Sequence, residues 1–211
     1  MFEIEYKGGN TIHVVTKQAT IVLDPKLSVV GLKDKAIKDS LEIATEARFA
    51  LGSPEAKLCI EGPGEYELSG YMIKGIAAKR HIDSGEDAMR STIYRIEIGD
   101  VKIAVLGNID AKLSEEQLEE IGLVDVLVLP VGGSGYTLDA TSAAALARSI
   151  EPKAVIPVHY ADTALTYEVP QDSLQTFTGE LGAPVETVPK YKLKASSNLP
   201  EVMTVIEVTR S

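Results

Sequence analysis

Apolar and polar positions organise the chain from its first residues. FEIEYK (2–7), TIHVV (11–15) and ATIVLD (19–24) alternate and then turn apolar, and GGN (8–10) and KQ (17–18) interrupt them. That pattern predicts three strands joined by two hairpin connections. KDKAIKDS (33–40) reads as a short helix, and LEIAT (41–45) and AKLCIEG (56–62) as strands on either side of a connection holding Gly52 and Pro54. GPGEYELSGYMIKGIAAK (62–79) gives turn, strand, tight turn, strand, and STIYRIEIGDVKIAVLG (91–107) a long hairpin turned at Gly99-Asp100. The second half changes character. SEEQLEEIG (114–122) is a helix with Ser114 as N-cap, acidic residues in its first turn and Gly122 as its stop. VDVLVLPVGG (124–133) and KAVIPVHY (153–160) are continuous apolar strands, as burial on both faces requires. LDATSAAALARSIEP (138–152), capped by Asp139 and ended by Pro152, and PQDSLQTFTGELG (170–182) are helices, and PVETVPK and EVMTVIEV close the chain as strands. A β-rich half followed by αβαβ, with no long linker, predicts one layered α/β domain over residues 1–211.

Composition narrows the function classes. The 211 residues are 45% hydrophobic and 25% charged, and no apolar run reaches the roughly 18 residues of a membrane span. MFEIEYKGGN has neither a basic n-region nor an apolar h-region, so no signal peptide is expected and the cytoplasm is the expected compartment. A formal charge of −10 repels a phosphate backbone, and the two basic stretches, KDKAIK (33–38) and KYKLK (190–194), read as solvated faces. Neither a nucleic-acid nor a membrane partner is expected. Cys59 is the one cysteine, which excludes an internal disulfide and a multi-cysteine zinc site. Within KLCIEG it reads as a buried structural thiol.

Candidate chemistry sits at strand ends, where loops converge in such folds. Asp24 follows TIVL, Glu46 follows LEIAT, Asn108 and Asp110 follow KIAVLG, and His159 follows AVIPV. Each alone suits a hydrogen-bonded structural role; together they could meet on one metal or substrate. GGSG (132–135) fits neither the P-loop nor the dinucleotide fingerprint and reads as a strand-to-helix loop. The chain has no G-x-S-x-G elbow and no H-E-x-x-H helix. His13, in TIHVV, reads as a surface or core histidine.

These segments occur in a familiar order. YKGGNTI, IVLDPKLS, GPGEYELSG, LGNID, LSEEQLEEIGLVDVLVLPVGG and YTLDATSAAALARSIEPKAVIPVHY, over about residues 1–160, resemble the metallo-β-lactamase superfamily, nearest its small stand-alone Zn-dependent hydrolases related to sugar-phosphate lactonases. The resemblance implies a four-layer αββα sandwich with the site along one edge between the sheets. It also implies a dinuclear site, built from a H-x-H-x-D-H loop, a further histidine, a bridging aspartate and a last histidine, whose metals activate a hydroxide. This chain departs from that pattern. The loop corresponds to EARFAL (46–51), with Glu46 and Arg48 at the first two histidine positions and Ala50 and Leu51 at the aspartate and third histidine. Gly8-Gly9 stands for an early Gly-His, and Asn108 for the bridging aspartate. His159 keeps its place, His81 in KRHIDSG corresponds to the remaining histidine, and Asp24 keeps a supporting role.

An arginine at a ligand position puts a permanent cation where a dication would sit, and asparagine offers a neutral carbonyl in place of an anionic bridge. No metal or other cofactor is therefore expected. The leading expectation is a non-hydrolytic protein acting through a small anionic ligand or through assembly, with Arg48 filling the vacated space against Glu46, Asp24 or Asp110, either as a plug or as an anion pocket. The alternative is a hydrolase of a phosphoester or lactone with one Zn or Mn held by His159, His81 and a carboxylate such as Asp110 or Glu46. A third is metal-free acid–base chemistry by His159 with Asp110, assisted by Arg48. The related branch forms stacked or ring-like oligomers, so a homo-oligomer is open; EVMTVIEV could pair across chains or finish its own sheet.

Overall fold

The computed structural model describes residues 1–82 and 90–211. The apolar alternation builds two sheets. Strands β1 (Phe2–Gly8), β2 (Thr11–Val15), β3 (Thr20–Leu23), β4 (Leu41–Ala44) and β5 (Leu58–Glu61) follow as read from the sequence. So do the hairpins β6 (Gly64–Leu68) to β7 (Tyr71–Ala78) and β8 (Ser91–Ile98) to β9 (Val101–Val105). Then come helix α1 (Glu115–Ile121), β10 (Val126–Pro130), α2 (Ala140–Ile150), β11 (Ala154–Val158), α3 (Leu174–Leu181), β12 (Val185–Val188), β13 (Tyr191–Leu193) and β14 (Thr204–Val208). One sheet has the order β13-β1-β2-β3-β4-β5 and the other β12-β14-β11-β10-β9-β8-β7-β6. EVMTVIEV thus finishes its own sheet, between β12 and β11.

The inward faces, with Ile4, Ile12, Val14, Ile21, Leu41 and Ile43 from one sheet and Ile73, Ile96, Ile103, Val128 and Ile156 from the other, form the central core. A second core, with Leu127, Leu129, Val155, Ala143, Ala147 and Phe177, lies between the eight-stranded sheet and the helices. Over the outer face of the six-stranded sheet the cover is not an α-helix but the segment from Asp24 to Ser40, with a 3-10 turn at Leu27–Val30. Among the described residues no helix is long and apolar enough to cross a membrane.

Prolines mark where the parallel ladder opens. Ala154 N donates to Asp125 O, and Val158 O accepts from Val131 N, so these positions of β11 face β10. Pro157 therefore faces β14, whose pairing has already ended at Val155. By the same count Pro130 faces β9 beyond its last pair, Val128 with Val105. Both prolines omit an N–H that has no partner to lose. Past them the strand ends diverge, leaving room for site loops.

Two sequence expectations fail, and one short strand goes unread in a basic stretch that is otherwise the solvated face expected. KDKAIKDS is not helical: its Asp34 carboxylate accepts from Ser28 N at 2.7 Å, Asp39 takes φ 59°, and Asp39 N donates to Glu55 O. A carboxylate that caps a neighbouring turn competes with its own helix. KYKLK carries strand β13, paired to β1, with Lys190 and Lys192 bound across it to Glu3 and Glu5. Cys59 is exposed, because β5 is an edge strand and its alternation turns Ile60 inward and Cys59 out. Partial desolvation, then the hydrogen bond to Glu42 and the charges of Glu42 and Glu61, raise its pKa, so it remains a thiol.

Candidate functional site

The C-terminal ends of β3, β4, β9 and β11 bring Asp24, Glu46, Asn108 and His159 toward one edge of the sandwich. Two of these residues sit in the left-handed region that non-glycine residues rarely adopt, Asp24 at φ 48° and His159 at φ 53°. The bend at the strand end turns each side chain inward. Asp24 is buried, and its carboxylate accepts from Thr45 N at 2.7 Å and from Thr45 Oγ1 at 2.8 Å. Burial pushes its pKa up to about 7, against the pull of the Thr45 bonds. The chain after β9 must pass close to Thr45: a side chain on Gly107 would come within 2.8 Å of it, at φ 64°.

His159 is fixed at both backbone and ring. Its N–H donates to Gly9 O at 2.8 Å, which is the structural use of the Gly8-Gly9 turn. Asn10 Nδ2 donates to Asn108 Oδ1 at 3.2 Å, so Asn10 Oδ1 is an acceptor. In this orientation of the two amides His159 Nδ1, 3.0 Å from that oxygen, donates to it, which leaves Nε2 with a bare lone pair. Nε2 and Asn108 Nδ2 are both buried without a hydrogen-bond partner among the described residues. Burial, and then the charge of Arg48, hold the imidazole neutral with a pKa lowered to about 3.

Arg48 occupies the middle of the cluster. Its Nε lies 3.0 Å from Glu46 Oε2, and Arg80 Nη1 lies 3.6 Å from the same oxygen. The guanidinium carbon is 4.5 Å from the ring centroids of both Phe49 and Tyr136, and Tyr136 in turn stacks on His159 at 5.6 Å. Tyr167 covers the other side of His159 at 5.0 Å. The space left among Phe49, Tyr136, His159 and Tyr167 is about 10 Å³. That admits one water-sized group and no substrate. Burial raises the Glu46 pKa while Arg48 and Arg80 pull it back; at 3.0 Å from Arg48 the carboxyl is held as an ion pair.

The remaining candidates lie outside this cluster. Asp110 turns away: Oδ1 accepts from Lys112 N at 2.8 Å, and the residue lines a separate cleft with Lys79 and Gln117. His81 approaches by its backbone, donating to Asn108 O at 2.9 Å, and the end of its KRHIDSG motif, from 83 on, lies outside the described residues. GGSG is a packing loop. A side chain on Gly132 would meet His159 O at 2.1 Å, and one on Gly133 would meet the Asp172 carboxylate at 2.9 Å, a poor setting for an anion. Sequence reading missed Asn10, Thr45, Arg80, Tyr136 and Tyr167; Asn10 alone had a local signal, as the polar end of the GGN turn.

These donors do not suit a divalent metal. Two amides, one neutral imidazole, the Glu46 carboxylate already shared by two guanidiniums and the Asp24 carboxyl already engaged by Thr45, its pKa raised to about 7, supply too little free negative charge, and Arg48 adds a fixed positive one. Among the described residues no three His, Cys, Asp or Glu side chains group closely enough to hold an ion, so His159, His81 and Asp110 are not brought together.

Residues 3–159 match the family model described as the beta-lactamase superfamily domain. No curated protein matches the chain. Among solved structures it is similar to a candidate Zn-dependent hydrolase of the metallo-beta-lactamase superfamily from Thermotoga maritima, with 23% identity, 99% of this chain and 100% of that one covered, and a TM-score of 0.76. Igni18, a metallo hydrolase from Ignicoccus hospitalis, is 19% identical over 99% of this chain and 95% of its own, with a TM-score of 0.66. A candidate metal-dependent hydrolase from Parabacteroides distasonis is 14% identical, with 97% and 92% covered and a TM-score of 0.66. These likenesses show a shared fold, and the family model spans most of the chain. The protein belongs to the beta-lactamase superfamily domain family and has the metallo-β-lactamase fold.

Proposed function

We propose that this protein is a non-hydrolytic member of its superfamily, in which a salt-bridged plug fills the space its relatives use for metal. The observation that carries this reading is Arg48, bound to Glu46 at 3.0 Å, with its guanidinium against Tyr136 and Phe49. A guanidinium in that position opposes a cation by charge, and the aromatic lid leaves no substrate volume beside His159. The protein then acts by binding or assembly, the superfamily fold serving as a scaffold. Glu46 already neutralises Arg48 and the enclosed space is about 10 Å³, which supports a plug over an anion pocket.

One observation favours the second reading, a hydrolase with a mononuclear site: the buried, unpartnered lone pair of His159 Nε2. It supplies one ligand where at least three are needed. Assays of lactone and phosphoester hydrolysis with added Zn²⁺ or Mn²⁺ separate the two. The plug predicts rates equal to those of His159→Ala. Metal-stimulated turnover that His159→Ala abolishes would overturn it.

A further inference from the structure

A large concavity lies away from the Arg48 cluster. It is a groove of about 850 Å³ between the outer face of the six-stranded sheet and the irregular segment from Pro25 to Lys38. Its volume is in the range of small-molecule sites, about 300–1,000 Å³. The groove exists because this face has no α-helix over it among the described residues, and KDKAIKDS, which would have supplied one, runs irregularly along its rim.

The floor and walls are chemically distinct. Ile12 and Val14 of β2 point into the central core, so His13 and Val15 point outward, into the groove. His13 is 8% exposed and its side chain makes no hydrogen bond or ion pair among the described residues. Its ring is largely covered but opens onto the groove, where its nitrogens meet solvent or a ligand. Leu27, Leu32 and Ile37 give the covering segment an apolar inner wall. Lys33, Lys35 and Lys38 stand along the rim, exposed and without ion-pair partners among the described residues, in a chain whose net charge is −10. The floor acid, Glu5, is already taken: it binds Lys7 at 2.7 Å and Lys190, just before β13. Glu55 is the other acid at the edge.

We propose that this groove binds a small organic anion with an apolar body, its acidic head held by Lys35 and its neighbouring lysines with His13, and its body lying on Leu27, Leu32 and Ile37. The positive rim selects the charge, and the apolar wall selects against a bare inorganic ion. Burial, and then Lys7 and Lys35 against the pull of Glu5, lower the His13 pKa to about 4, so the neutral ring offers an anion an N–H donor rather than a charge. The inference is independent of the Arg48 plug and holds whether or not that reading does.

The chain has three histidines, His13, His81 and His159, so ring signals of the full-length protein report each site separately by nuclear magnetic resonance. Titration with octanoate should give a saturable shift at His13 and none at His159. Lys35→Glu, an exposed and fold-neutral change, should weaken octanoate binding at least about fivefold, as reversal of a charge beside a carboxylate does. Acetate and inorganic phosphate should bind much more weakly than octanoate. Any of four results would overturn the proposal: no saturable shift at His13, a shift confined to His159, inorganic phosphate binding as well as octanoate, or octylamine binding as well as octanoate. An acidic peptide that shifts His13 where octanoate does not would equally reject it and make the face a protein-docking surface.

Discussion

Arg48 and Asp24 carry opposite electrostatic problems, and both leave a measurable trace. Replacing Arg48 by Met keeps the apolar stem between Phe49 and Tyr136 but leaves Glu46 with Arg80 alone, 3.6 Å away. A cost of about 1–3 kcal/mol in unfolding free energy is expected, checked by urea denaturation, from stranding a buried carboxylate. The same variant removes the cation that helps depress His159, so its ring should titrate above about 3. The pH dependence follows from the signs. His159 is held neutral in the fold well below the ordinary 6.5, so the unfolded chain takes up the proton first and stability is lost as pH falls from 6.5 toward 3. His13, lowered to about 4, adds to this acid-side loss. Asp24 acts the other way. Its pKa is raised from 3.8 to about 7, so the folded protein keeps the proton longer and stability is lost as pH rises through that window. Asp24→Asn, which tolerates φ 48°, should gain about 2–4 kcal/mol on wild type between pH 4 and pH 8, measured as the change in their stability difference. Gly132→Ala should cost about 1–3 kcal/mol by denaturation, since its methyl would collide with the His159 carbonyl.

At the level of elements, helix α1 owes its start to a capping box. Ser114 Oγ accepts from Gln117 N at 3.1 Å, and Gln117 Oε1 accepts from Ser114 N at 2.9 Å. Ser114→Ala should therefore destabilise the protein by about 1 kcal/mol in a thermal or urea melt, with the fold retained. That cap was legible in the sequence, as were Asp139, Gly122 and nearly every strand, because periodicity and capping are local signals. Where the sequence misled, a partner distant along the chain decided. β13 is only three residues long and becomes a strand through its pairing with β1. The 33–40 segment has helix-forming lysines and alanine, yet its aspartates are engaged by Ser28 and Glu55. Cys59 lies in an apolar run, and only the position of β5 at the sheet edge tells that its outer face is open.

The whole molecule joins a legible scaffold to a site that sequence outlined only in part. The strand-end residues Asp24, Glu46, Asn108 and His159 were found because βα architecture places chemistry at strand ends. Asp110 met the same criterion and faces a different cleft, since a local turn to Lys112 N captured its carboxylate. Asn10, which sets the His159 tautomer from 149 residues away, and Tyr136, which closes the site, have roles that depend on three-dimensional packing. The proposed function places an arginine plug where metal-dependent relatives hold their ions. Metal content by mass spectrometry, after incubation of the purified protein with Zn²⁺ or Mn²⁺ and exhaustive dialysis, tests it most directly. A plugged site should retain less than about a tenth of an equivalent, the level of adventitious binding. Retention of about one equivalent or more, lost in His159→Ala, would contradict it.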